Sequence, residues 1–471
     1  MQNIPRIWQL VDQHQDEFIA LSDRVWAMPE LNFQERRSAA EHTAMLRDKG
    51  FRVTENVAGI PTAVMGEAGE GGPVIAILGE YDALPGLSQE AGVAEHRPVT
   101  EGGAGHGCGH NLLGAGAMLA AAAVKDWLAE QGIDGRVRYY GCPAEEGGAA
   151  KTFMVRDGTF DDVDIAISWH PAPFAGVNDA YSLAILQVDY AFTGRASHAA
   201  ASPELGRSAL DAVELMNVGV NYMREHMPAD ARVHYATLDS GGIAPNVVQA
   251  HARVRYIIRA AELSDLKVLA ARVDRIAEGA ALMTETSVDS RVISGMSNLL
   301  GNTPLERTLY DNLQRLGPPP FDDADRAFAE QIRVTIRPDD IASAHRRFGM
   351  PLTDAPLADS IVPLDALGAR QVGSTDVGDV SWAVPTVQAR GATCAIGTPG
   401  HSWQLTAQGK SPAAHKGMVH AAKAMAGTAI DVLKDSTLLA QARADHAARL
   451  ARTPYVSPLP DGLPPPFDMA G

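Results

Sequence analysis

The sequence is short of cysteine, of positive charge and of long apolar runs, and each shortage narrows what the chain can be. Three cysteines, Cys108, Cys142 and Cys394, stand among 471 residues. An odd, sparse count does not read as a disulfide framework, and cytoplasmic residence is the simplest expectation. Lys and Arg number 40 against 57 Asp and Glu, a formal charge of -17. That balance argues against nucleic acid, whose phosphates need a basic surface, and against anionic membranes. A carboxylate substrate would need a local positive pocket inside the acidic shell. The first residues lack a basic start followed by an apolar core, so no signal peptide is expected. The most apolar long segment, Leu112 to Leu128, is interrupted by Lys125 and Asp126. It reads as a buried helix rather than a membrane span.

What is present is ordinary globular composition, 46% apolar and 21% charged, at a length that predicts two or three domains. Helical spacing of Ile7, Leu10, Val11, Phe18, Leu21 and Val25 predicts a first helix over 6–28, and 38–49 reads as a second. Four apolar runs are expected as strands: 73–78, 136–140, 164–168 and 393–396. Each ends in polar residues: Tyr81-Asp82, Glu145-Glu146, His170 and His401. Strands alternating with helices predict an α/β sheet covered on both faces. Such sheets place their chemistry outside the carboxyl ends of the strands. Residues 184–301 read differently, as strand-helix-strand units at 183–192, 211–226, 247–258, 263–280 and 286–294. They are compatible with a small α+β domain inserted into the larger one. Residues 351–370 read as a surface excursion, 413–433 as the last helix, and the proline-rich tail after Pro454 as an extended strap or a disordered segment.

The densest chemistry lies in His106-Gly-Cys108-Gly-His110-Asn111. Two imidazoles and a thiol in five residues suit a zinc-like ion, and the glycines let the backbone fold tightly round one point. The same pattern also fits a glycine-rich turn with incidental polar side chains. Glu145-Glu146 alone would be a solvated acidic turn, but it follows an apolar strand. Adjacent residues leaving a strand point to different sides, so one can bind metal while the other faces substrate as a base. His170 and His401 each read equally as ordinary core or loop histidines. Together, Cys108, His110, Glu146, His170 and His401 offer nitrogen, sulfur and oxygen donors suited to two divalent ions rather than one structural zinc. Cys142 and Cys394 read as small buried residues.

Several motifs carry a resemblance: Pro29-Glu30-Leu31-x-Phe33-x-Glu35, Tyr81-Asp82-Ala-Leu-Pro85, His106-x-Cys108-Gly-His110, Pro143-Ala-Glu145-Glu146-Gly and Gly194-Arg-Ala-Ser-His198. In order along nearly the whole chain, they resemble the aminoacylase/carboxypeptidase superfamily of dinuclear metallo-amidohydrolases. Glu80-Tyr81, the 373–382 stretch and His415-Lys416-Gly-Met418 look most like the B-type subunits of the p-aminobenzoyl-glutamate hydrolase branch. Trp26 departs from the histidine that many relatives have there, and Asn111 from the aspartate of auxin-type relatives. The resemblance implies a catalytic domain with a central mixed sheet flanked by helices, residues 1–183 and 302–471, and an inserted lid and dimerisation domain, 184–301. It implies metal ligands Cys108, His110, Glu146, His170 and His401, general base Glu145, and Asp82 orienting a ligand or the base. His198, otherwise a polar loop residue, resembles the histidine that reaches a partner subunit's site and steadies the oxyanion. Asn246 and Arg259, otherwise a turn Asn and a strand-end Arg, resemble the lid pair that grips the substrate carboxylate. The implied cofactors are two divalent ions, zinc or manganese. The implied reaction is hydrolysis of a carboxylate-bearing amide, p-aminobenzoyl-glutamate first, with N-acyl-amino-acid or dipeptide amides as alternatives. The implied assembly is a homodimer through the lid or a heteromer with a homologous chain. The reading from another class is a non-catalytic partner of such an enzyme.

Overall fold

The computed structural model describes residues 5–366, 368 and 373–469. The first four residues of the N-terminal reading, parts of the 351–370 excursion and the last two residues of the tail lie outside the described residues. The chain begins α1 (Arg6–Trp26), α2 (Arg36–Asp48), β1 (Arg52–Glu55), β2 (Val64–Glu70), β3 (Val74–Glu80), α3 (His110–Gln131), β4 (Gly135–Cys142), α4 (Ala150–Arg156), β5 (Ile165–Ala172) and β6 (Gly176–Val177). It continues β7 (Ala184–Thr193), α5 (Ala209–Met223), β8 (Arg232–Asp239), β9 (His251–Ala260), α6 (Leu263–Thr284) and β10 (Ser287–Met296). It closes α7 (Thr303–Leu316), α8 (Asp323–Val334), α9 (Pro338–Arg347), α10 (Val377–Ala383), β11 (Thr386–Ala392), α11 (Trp403–Gln408), α12 (Pro412–Lys434) and α13 (Ser436–Leu450).

One sheet runs β1-β2-β4-β3-β5-β11-β6. Its middle strands, β4, β3, β5 and β11, are parallel, and antiparallel strands flank them. It is therefore a mixed sheet with helices against it, the α/β architecture the strand-helix alternation predicts. The apolar positions of α1 are buried as their spacing requires. Helix α3 is long and apolar enough to cross a membrane, but 83% of that window is buried inside the protein, where it serves as a core helix. It lies close on β3: a Cβ at Gly114 would come 2.4 Å from the Glu80 carbonyl oxygen. A side chain there would push α3 off the sheet and move His110, its first residue.

The second sheet is antiparallel, in the order β10-β7-β9-β8. Strand alternation divides its faces. Val188, Tyr190, Tyr256 and Ile258 pack with Met216 and Val220 of α5 and Leu266 and Val273 of α6 in a separate core. Ile257 and Arg259, between those positions, line a cleft against the first sheet.

Several expectations are corrected. The strand before His401 is 386–392, not 393–396, because alternating Gln388 and Arg390 disguise a strand buried along its length. His170 lies inside β5, not after it. Strand β8 escapes the apolar pattern because almost all of it is exposed. The excursion is partly core: Leu357, Ala358, Ile361 and Val362 are buried. A further helix, α13, follows α12. The proline-rich tail is a strap. Tyr455 donates to Asp379 at 2.9 Å, Arg156 donates to the Leu463 carbonyl at 2.6 Å, and the Phe467 ring stands 5.3 Å from Phe33.

Candidate metal centre

The four parallel strands deliver their polar residues to one place. Asp82 follows β3, Glu145 and Glu146 follow β4, His170 is in β5, and His401 is in the loop after β11. Cys108 and His110 enter from the loop that starts α3, where Gly109 takes the left-handed conformation at φ 80. His401 also has a positive φ, 54, a costly conformation for a residue with a Cβ. Its backbone N–H donates to the Gly107 carbonyl at 3.0 Å, which ties the two loops together.

The donor atoms of Cys108, His110 and His170 lie within 4.8 Å of one another, and so do those of Cys108, Glu146 and His401. All five expected ligands are thus brought together, with the thiol common to both groups. The Cys108 Sγ stands 3.4 Å from His170 Nε2, and His401 Nε2 stands 3.4 Å from Glu146 Oε2. A third group, Glu80, His110 and Glu145, adjoins them.

Neighbours aim these atoms. Asp82 accepts from His110 Nδ1 at 2.8 Å and from the Glu146 backbone N–H at 2.9 Å. His110 Nε2, the other ring nitrogen, is buried and makes no hydrogen bond, with Glu80 Oε2 3.3 Å away. His170 Nδ1 donates to the Pro171 carbonyl at 2.8 Å, which leaves its Nε2 lone pair for a cation. The buried Glu35 carboxylate accepts from the Ala144 and Phe33 N–H groups and braces the turn carrying Glu145.

Electrostatics here is dominated by clustered acids. Burial pushes the Glu145 carboxyl well above its ordinary value, and Glu80, Glu146 and Asp376 add repulsion. Glu146 is raised by burial and by Asp82, against the pull of His110 and His401. Burial and Glu146 push the Cys108 thiol up. Burial opposes ionisation of Asp82 too, but the charge and hydrogen bond of His110 win and hold it low. Burial and nearby His110 lower His170 to about 4, so it is a neutral donor at pH 7. Glu80 Oε2, Glu146 Oε1 and His110 Nε2 are buried and make no hydrogen bond. Unpaired buried acceptors around a mixed sulfur, nitrogen and oxygen set are what divalent cations satisfy, so these residues fit the implied ions.

His106 is structural: its Nε2 meets the Val25 carbonyl at 3.1 Å. Asn111 donates to Ser22 and to the Gly409 carbonyl, and Trp26 donates to the Thr406 carbonyl. The two departures from the relatives' pattern therefore brace the α11 segment behind His401. Arg259 lines the cleft. His198 and Asn246 do not: both are exposed on the neighbouring loops of the second sheet, joined by the Ala199 N–H donating to the Asn246 carbonyl at 3.0 Å.

Three buried residues beside the centre have no role in the sequence reading, although two of them lie in motifs that carry the resemblance. Lys151 Nζ lies 2.6 Å from Glu80 and 2.7 Å from Asp376, and all three side chains are almost wholly buried. Only the unexplained carboxylates in Gly-Glu80-Tyr and Thr-Asp376-Val hinted at them.

A buried mixed donor set where four parallel strands end, below a cleft closed by a second sheet, fits a metal-dependent hydrolase. The chain belongs to peptidase family M20/M25/M40, whose profile matches residues 76–337. It is 47% identical to the B-type chain of p-aminobenzoyl-glutamate hydrolase from Escherichia coli strain K12, over 99% of each chain. It is 29% identical to the Xaa-Arg dipeptidase of Mus musculus, over 94% of this chain and 92% of that one. Among solved structures, an aminobenzoyl-glutamate utilization protein from Klebsiella pneumoniae shares the fold at a TM-score of 0.60 and 17% identity, covering 91% of this chain and 98% of that one. A dinuclear metal binding peptidase of the M20 family from Bacillus subtilis shares it at 0.58 and 17%, covering 90% and 99%. The chain is a metallo-amidohydrolase.

Proposed function

We propose that this chain hydrolyses p-aminobenzoyl-glutamate to p-aminobenzoate and glutamate with two divalent ions, zinc or manganese, in the cytoplasm. The observation that carries the reading is the pair of donor groups sharing Cys108, with Glu145 beside them. The substrate rests on the relative that is 47% identical over 99% of the chain. We take 1–183 and 302–471 as the catalytic domain and 184–301 as the lid.

Cys108, His110, Glu146, His170 and His401 hold the ions, which when bound lower the pKa of a water and polarise the amide carbonyl. Glu145 takes the proton from the attacking water and passes it to the leaving nitrogen, so one water adds across the C–N bond. Its burial supports this role, because a carboxyl raised above its ordinary value is a stronger base. Asp82 fixes the His110 ring. Arg259 takes a substrate carboxylate with its planar fork. His198 and Asn246 complete a site in the partner of a homodimer formed through the lid. A heteromer is the second assembly, because the A-type chain of the Escherichia coli hydrolase is also a relative, 32% identical over 48% of this chain.

N-acyl-amino-acid and dipeptide amides are the second substrate reading, favoured by the likeness to a dipeptidase. A non-catalytic role is disfavoured by the complete donor set. The test is Glu145→Gln assayed on p-aminobenzoyl-glutamate and a panel of these amides. Bound metal should be kept and turnover should fall about 10²- to 10⁴-fold. Turnover at the wild-type rate would remove Glu145 as the base.

A further inference from the structure

The cleft at the metal centre has a volume of about 730 Å³ and is walled by both sheets. In a chain of net charge -17, three arginines line it without a carboxylate in ion-pairing distance among the described residues: Arg259, Arg347 and Arg390. Arg390 is the informative one. It lies in the buried strand β11 and is only 7% exposed. Its Nε donates to Asn178 Oδ1 at 2.7 Å. Its guanidinium stands 4.8 Å from the centre of the Phe348 ring. Both partners are neutral, and no protein acceptor meets its two Nη groups among the described residues. Asn178 in turn donates to Gln388, which holds its carbonyl oxygen toward the arginine. Burial pulls the guanidinium down to about 10, so it keeps its charge at neutral pH. Asp179 attracts it only from beyond ion-pairing distance, so the desolvated cation, hydrogen-bonded to a neutral group alone, is short of an anion in contact.

Its register says where that anion would lie. Arg390 is directly across the parallel β5–β11 ladder from His170. Paired residues on neighbouring strands share a face and stand about 4.8 Å apart. Arg390 is therefore on the same wall as a residue of the donor cluster, and Arg259 faces it from the second sheet.

We propose that Arg390, set by Asn178 and Phe348, is the subsite for the side-chain carboxylate of the amino-acid half of the substrate. The inference rests on the hydrolase reading above and adds the residue that selects an acidic amino acid over a neutral or basic one. Arg259 takes the α-carboxylate, and the two guanidiniums grip a dicarboxylate from opposite walls.

The test compares p-aminobenzoyl-glutamate with p-aminobenzoyl-glutamine on the metal-loaded enzyme, with glutarate and butyrate as binding probes in calorimetry. The wild type should prefer the glutamate amide by about 10- to 100-fold in kcat/KM, the span of a charge-assisted hydrogen-bonded contact. Arg390→Gln should lose that preference at unchanged metal content, and Arg390→Lys should keep part of it. No preference in the wild type, or one that survives in Arg390→Gln, overturns the subsite and leaves the hydrolase reading standing. If neither amide is cleaved, the substrate reading falls and the probes decide. Glutarate binding that weakens about tenfold in Arg390→Gln, with butyrate unchanged, supports the subsite. Equal weakening of both, or of neither, overturns it. Should Arg390→Gln not fold, the wild-type preference and Arg390→Lys carry the decision.

Discussion

At the carboxyl ends of β3, β4, β5 and β11, buried polar groups crowd together and several lack a protein partner. On the second sheet the buried face is apolar, its two large tyrosines are hydrogen-bonded, and His198 and Asn246 stand in solvent. The first arrangement gives up stability to hold chemistry, since unpaired buried acceptors are costly. The second is a self-supporting platform that presents side chains outward. On the proposed reading, cations finish such a site in one region and a partner surface finishes it in the other.

The largest stability effect should come from Lys151, the buried cation of the first region. Lys151→Met leaves Glu80 and Asp376 as uncompensated buried carboxylates. It should cost about 3–5 kcal/mol in chemical denaturation of the metal-free chain. A loss under about 1 kcal/mol, the level of a surface pair, would erase the contrast between the regions.

His198 sharpens the other side of the comparison. Its Nδ1 accepts from the Ala200 and Ala201 N–H groups, which leaves Nε2 as an outward donor. His198→Ala should lower kcat about 10²- to 10³-fold, as loss of an oxyanion donor does, without lowering stability. Mixing it with Glu145→Gln should restore activity, because each supplies what the other lacks across a dimer. A mixture that stays inactive would confine the site to one chain.

The smallest effect concerns Glu35. Burial, with repulsion from Asp82, raises its carboxyl to about 8 despite two backbone hydrogen bonds. The folded value exceeds the unfolded one, so its contribution is full below about pH 4.5 and is lost as pH rises through about 8. The metal-free chain should lose stability across that window, and Glu35→Gln should flatten the loss. An unchanged slope in that variant would assign it to other groups.

Much of the first region was legible because its chemistry sits at strand ends, where apolar runs break into His, Glu and Cys. The 3.6-residue spacing of α1 and the alternation of β7 and β9 were readable for the same reason: one buried face imposes one period. What stayed hidden was set by distance or by disguise. Lys151 and Asp376 are 225 residues apart, so no local pattern pairs them. Gln388 and Arg390 broke the apolar pattern of β11 because they face the cleft, so the strand was displaced by several residues. A charged residue alternating inside an otherwise apolar strand was the available clue. His198 and Asn246 could be suggested only by resemblance, since an exposed loop records nothing about a partner surface.

If Cys108 joins two cation positions in one centre, loss of its thiol lowers the number of ions bound. Calorimetric titration of the metal-free chain with zinc or manganese, alongside Cys108→Ala, reads that number. Two equivalents per wild-type chain are expected, with activity appearing as they bind and fewer ions bound by the variant. One equivalent in the wild type, or an unchanged stoichiometry in Cys108→Ala, would contradict it.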